Sequence, residues 1–243
     1  SYSFYPVYCG LYQIDYQAVA LNARFEIDVN DYLRPCGGIV IPNPNAPTGI
    51  ALSLDAIKRL LEPCESVVII DEAYVDFGAE SATRLIADHP NLLVVQTFSK
   101  SRSLAGLRLG YALGHADLIE GLTRIKNSFN SYPIDRLTSA GGIASVNDES
   151  YFQQCRSQIV ATRDWLSQAL SGLKFEVLPS SSNFVFVRHA SRAAIELYTE
   201  LKQAGILVRH FNKDRIDNFL RISIGTNDEC RALVDALTVI LKD

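Results

Sequence analysis

Methionine is missing from all 243 residues, the first position included, and tryptophan occurs once. A chain that opens Ser1-Tyr2-Ser3-Phe4-Tyr5-Pro6 with no initiator is expected to be a fragment lacking its N-terminal portion. An excess of charge is also missing. The 23 basic and 27 acidic residues give a net charge of -4 with no long run of either sign, which excludes a nucleic-acid footprint. No apolar stretch is long enough to span a bilayer and no signal peptide opens the given sequence, so a cytoplasmic protein is the expectation. His89, His115, His189 and His210 lack zinc-ligand spacing to each other or to cysteine, so no metal is expected. The five cysteines, Cys9, Cys36, Cys64, Cys155 and Cys230, are odd in number and scattered, as reduced thiols of a cytoplasmic protein would be.

What is present is apolar material, 48% of the chain, in short patterned runs. Gly37-Gly38-Ile39-Val40-Ile41, Val67-Val68-Ile69-Ile70 and Leu92-Leu93-Val94-Val95 are unbroken and β-branched, the pattern of strands buried on both faces of a parallel sheet. Leu54, Ile57, Leu60 and Leu61 recur at helical spacing between a capping Ser53 and the stop at Pro63. A helical-looking Ser81 to Ala87 joins the later two strands, giving a right-handed βαβαβ first half. Leu118 to Ser128 and Ser150 to Leu173 read as helices. Strands at Phe175-Glu176-Val177, Asn183 to Val187, Ile206 to Arg209 and Phe219 to Ile224 then alternate with helices near Ala193–Ala204 and Asn227–Leu241. The expected class is α/β: a three-layer large domain over residues 1–150 with a mainly parallel sheet, followed by a smaller α+β domain over 151–243.

Two of the apolar runs end on chemistry. Asp71-Glu72-Ala73-Tyr74 follows one, Thr97-Phe98-Ser99-Lys100 the next, and the carboxyl edge of an open α/β sheet is where ligands bind. Pyridoxal phosphate fits this supply of groups: its aldehyde needs an amine for a Schiff base, its ring nitrogen an anion, its phosphate cations and donors. Thr97, Ser99 and Arg108 offer two hydroxyls and a guanidinium, with Ser101 and Arg102 either helping or lying in a solvated loop. Gly106 and Gly110 bracket Arg108 and suggest a tight backbone path. The ordinary alternatives are a helix-capping Asp71, a core Tyr74 and a surface Lys100; their conjunction at strand ends favours the site.

These residues, with Ser1-Tyr2-Ser3-Phe4-Tyr5, Asn43-Pro44-Asn45-Ala46-Pro47-Thr48-Gly49, Asn183-Phe184 and Leu220-Arg221-Ile222, run in one order along the whole chain. In that order the chain resembles the fold-type I, pyridoxal-phosphate-dependent aminotransferases of class I/II, and among them most closely the histidinol-phosphate branch. The resemblance implies that Lys100 bonds the cofactor covalently and then serves as general acid and base. It implies Asp71 on the ring nitrogen, Tyr74 on the ring oxygen, Tyr2 stacked on the ring, and Thr97, Ser99 and Arg108 on the phosphate. It further implies substrate binding by Arg221, Arg209 and Asn183, 2-oxoglutarate as the amino acceptor, and a homodimer. The pattern has an asparagine where this chain has Ala46; Asn45, or Asn43, is the substitute to look for. Histidinol phosphate and aromatic amino acids stay open as amine donors. A decarboxylase of the same fold and a non-catalytic ligand-binding domain are the further alternatives.

Overall fold

The computed structural model describes residues 1–242. Strands β1 (Gly38–Pro42), β2 (Val67–Asp71) and β3 (Leu92–Thr97) pair in parallel, and β4 (Gly110–Gly114) closes the sheet antiparallel to β3, in the order β1-β2-β3-β4. The class read from the apolar runs is the class found. Ile39, Ile41, Val68, Ile70, Leu92 and Val94 bury one face against helix α2 (Leu54–Leu61), whose Ile57, Leu60 and Leu61 come from the spacing noted above. Ser53 caps α2 through the Ala56 amide. The opposite face is more open at β1, with Val40 43% exposed, and on the core face the sheet opens toward β4, where Leu113, in register with Val94, is 39% exposed.

The second sheet, of order β5-β6-β8-β7, comprises β5 (Phe175–Val177), β6 (Phe184–His189), β7 (Arg209–His210) and β8 (Leu220–Ser223), all antiparallel. Val185, Val187, Leu220 and Ile222 pack on α5 (Glu149–Gly172), α6 (Ala194–Gln203) and α7 (Asn227–Ile240) as a core separate from that of the first sheet. The alternate residues Phe184, Phe186 and Arg221 therefore face the other way.

Four segments differ from the reading above. The crossover at 81–87 is only a 3₁₀ turn, Ala82–Leu85, because Glu72 ties down its start by accepting from the Ser81 hydroxyl and the Ala82 amide. Ile206 is not in a strand: its amide bonds the Leu201 carbonyl and terminates α6 behind Gly205, whose φ of +78° favours glycine. Helices α1 (Tyr5–Leu11), with Pro6 in its first turn, and α4 (Arg136–Asn147), capped by Asp135, lie where no helix was expected. Between α2 and α5, α3 (Ala116–Phe129) packs on β4.

Candidate active site

Parallel pairing brings the carboxyl ends of β1, β2 and β3 to one edge, with Pro42 in register with Asp71 and Asp71 with Val95. Asp71 ends β2 half-buried. One carboxylate oxygen accepts from the Ala73 amide at 3.0 Å, and the other accepts from the hydroxyl of Tyr5 on α1. A carboxylate has about four acceptor positions, so capacity for a further donor is left.

The loop after β3 presents Lys100, exposed, with its ammonium 5.4 Å from the centre of the Tyr74 ring. Tyr74 meets Phe184 edge-on at 5.1 Å, and the Arg221 guanidinium lies 5.1 Å over Phe184. Three ring contacts thus lead from Lys100 on the first sheet to Arg221 on the second. Arg221 Nε is buried with no hydrogen-bond partner. Arg221 is half-buried overall, and a guanidinium held partly out of water with an unpaired Nε and no acidic partner is left short of an acceptor that an anion would supply.

Thr97 Oγ1 accepts from the Ser99 amide at 3.1 Å and donates to the Leu109 carbonyl at 3.4 Å. Arg108 is exposed and donates through one terminal nitrogen to the Ala105 carbonyl at 2.8 Å. The tight path belongs to Arg108 itself, at φ +53°; a Cβ at Gly106 would meet open space, whereas one at Gly110 would come within 2.9 Å of the Gln96 carbonyl. Tyr2 is 53% exposed and meets Tyr5 edge-on at 5.6 Å, which sets it on the Asp71 side of the edge.

Asn45 is buried and spends its amide on the Thr48 hydroxyl at 2.8 Å, while Asn43 accepts from the Leu52 amide at 2.7 Å and donates to its carbonyl at 3.4 Å. Both side chains brace their own turn. Asn183 is half-buried, and its carbonyl accepts from Ile224 at 2.8 Å. Arg209 is exposed but stands directly opposite Arg221 across β7 and β8, its guanidinium 5.5 Å from the Phe211 ring.

Sequence reasoning missed Tyr5, Glu72 and Arg163. Glu72, on the face opposite Asp71, collects Ser81, Ala82 and Gln96 at 2.6–2.7 Å, and Gln96 in turn accepts from Tyr111. Burial pushes the Glu72 carboxyl upward, and those donors oppose the shift. Arg163 on α5 bonds the carbonyls of Phe77 at 2.7 Å and Ser182 at 3.1 Å, joining the loop after β2 to the segment before β6. The only cue to Glu72 in the sequence is an acid directly after an apolar strand; Tyr5 and Arg163 have none.

An amine, a carboxylate with spare acceptor positions, a phenol, the hydroxyls and guanidinium of the segment after β3, and a half-buried guanidinium with an unpaired Nε together suit a phosphorylated aromatic aldehyde and an anionic amine. The family model of aminotransferase class I and II matches residues 1–237, and the chain belongs to that family. An aminotransferase moves an amino group between an amino compound and a keto acid. Over 98% of its length the chain is 58% identical to histidinol-phosphate aminotransferase 1 of Pseudomonas aeruginosa, of which it covers 68%. Its fold matches the histidinol-phosphate aminotransferase of Clostridium acetobutylicum with a TM-score of 0.93 at 22% identity, covering all of this chain and 76% of that one. The Sinorhizobium meliloti histidinol-phosphate aminotransferase, solved in complex with pyridoxal-5'-phosphate, matches at 0.83 and 24% identity over 93% of this chain and 64% of that one.

Proposed function

We propose that this protein transfers the amino group of histidinol phosphate to 2-oxoglutarate on pyridoxal phosphate, as a cytoplasmic homodimer in histidine biosynthesis. Pyridoxal phosphate, when bound, supplies an electrophilic carbon for the amine and an electron sink for the bond that breaks at Cα. The rest falls to the chain. Lys100 Nζ would hold the cofactor and would serve as the general base and acid for the proton at the substrate's Cα. Asp71 would pair with the protonated ring nitrogen, the Tyr74 hydroxyl would donate to the ring oxygen, and Tyr2 would cover the ring. Thr97, Ser99 and Arg108 hold the phosphate.

The single observation that carries the choice of substrate is Arg209 set opposite Arg221, with no acid paired to either among the described residues. Histidinol phosphate has no carboxylate, so its phosphate is the anion this pair would take, and the same pair would hold glutamate in the other half-cycle. Asn183, the residue before Phe184, would add a polar group to that site. The identity to curated histidinol-phosphate aminotransferases supports the same choice. Apolar side chains on and beside α3 and α4, among them Phe129 at 92% and Leu137 at 80% exposure, support a subunit interface.

The exposure of Arg209 favours a second reading, transamination of phenylalanine or tyrosine. Comparing kcat/KM for histidinol phosphate and phenylalanine decides between them: at least tenfold preference for the phosphate ester is expected, and the reverse order overturns it. Release of carbon dioxide without a new keto acid would identify a decarboxylase. A yellow protein inert in every half-reaction would be a binding module.

A further inference from the structure

The geometry points to Phe211 as a positioning residue, an aromatic neighbour shared by two guanidinium groups that orients both for a doubly charged anion without neutralising either. The inference rests on the reading of Arg209 and Arg221 as the substrate's anion site. Residues directly opposite in an antiparallel pair share a face with Cβ atoms about 5 Å apart, and like charges placed so destabilise a sheet. Proteins ordinarily relieve such a pair with a carboxylate. Here the shared neighbour is a ring: the Phe211 centroid lies 5.5 Å from the Arg209 guanidinium and 5.8 Å from that of Arg221.

A ring face attracts a cation through its quadrupole yet cancels none of its charge. A carboxylate in the same place would leave the pair with a net charge of about one; the ring leaves about two, matched to a phosphate ester. Phe211 itself is held in place. It meets Phe186 edge-on at 6.1 Å, and Phe186 stacks on Phe219 at 4.6 Å, both fully buried. Phe184 holds the far side of Arg221 at 5.1 Å, so that guanidinium is oriented by two rings and its Nε is left unpaired. Selectivity for a dianion over a monoanion then depends on the electronic character of position 211, and not only on the two arginines.

The test uses the full-length holoenzyme with inorganic phosphate and acetate as competitive inhibitors. Incorporating pentafluorophenylalanine at position 211 preserves shape and reverses the quadrupole. The expected result is phosphate inhibition weakened about five- to tenfold, acetate inhibition changed less than twofold, and kcat at saturating substrate unchanged. Phe211→Leu is expected to reproduce the loss and Phe211→Tyr to retain phosphate binding. Equal weakening of both anions, or phosphate binding untouched by fluorination, overturns the positioning role; a merely structural ring would give one of these. Arg209→Gln and Arg221→Gln separate the two levels. Unchanged phosphate binding in both overturns the anion site and the positioning role with it, whereas loss in these variants without loss on fluorination overturns the positioning role alone.

Discussion

The hydroxyl of Tyr5 on α1 donates to the carboxylate of Asp71 at the end of β2, across 66 residues of sequence. Burial, and next the negative charge of Asp71, push the Tyr5 phenol well above its usual range, so it stays a protonated donor at every physiological pH. Hydrogen bonds to charged groups contribute about 1.5–3 kcal/mol, and in this half-buried setting water recovers part of that. Tyr5→Phe should therefore weaken cofactor binding by about tenfold, the equivalent of 1.4 kcal/mol, with the fold intact. A cofactor titration of the apoenzyme measures it, and unchanged affinity removes Tyr5 from the site.

Lys100→Ala should abolish the visible absorption band of the holoenzyme and its half-reaction with any amine, because one side chain both attaches the cofactor and moves the proton; proton transfer alone contributes about 10²–10⁴ in rate. Asp71→Ala should be nearly as severe, since removing one partner of a buried ion pair costs about 3–5 kcal/mol. Absorbance spectra and stopped-flow half-reactions report both. Full colour in the Lys100 variant would disprove the assignment.

Arg221→Lys replaces a planar fork with a point charge. The KM for glutamate should rise about tenfold or more while the cofactor stays bound, and a proportional loss of cofactor would contradict the separation of the two pockets along the Tyr74–Phe184 contact.

Glu72 makes a prediction about stability and pH. Its carboxyl is raised by burial, so the folded protein binds that proton more tightly than the unfolded chain does. The contribution is fully present below the ordinary value of 4.5 and is lost as pH rises through the folded value. Glu72→Gln cannot ionise, so the stability difference, variant minus native, should grow more positive from pH 4.5 upward. Urea unfolding across that range checks the sign; a difference that is flat or falls with pH refutes it. The Glu72 contacts to Ser81, Ala82 and Gln96 would be rearranged in the variant, which offsets the curve without tilting it.

Much of the fold was legible because its signals are local. Unbroken β-branched runs mark β1, β2 and β3, and the spacing of Leu54, Ile57 and Leu60 marks α2. Where the sequence misled, a tertiary or terminal bond had overridden propensity. Glu72 pins the 81–87 crossover into a single turn, and the Ile206 amide is consumed in ending α6. α4 escaped notice because Gly141 and Gly142 interrupt its apolar pattern, although its capping Asp135 was there to read.

The sequence by itself determined which chemistry the chain carries: an acid and an amine at the ends of consecutive apolar strands, with hydroxyls and Arg108 beside them. It could do so because strand order and strand direction follow from short-range pattern and right-handed crossovers. Only the tertiary structure decided that Tyr5 engages Asp71, that Asn45 belongs to its own turn, and that Arg209 and Arg221 stand opposite one another beside Phe211. Those relationships depend on register and side-chain direction between segments far apart in the chain, and a one-residue slip in β7 or β8 would turn one arginine of the pair to the other face.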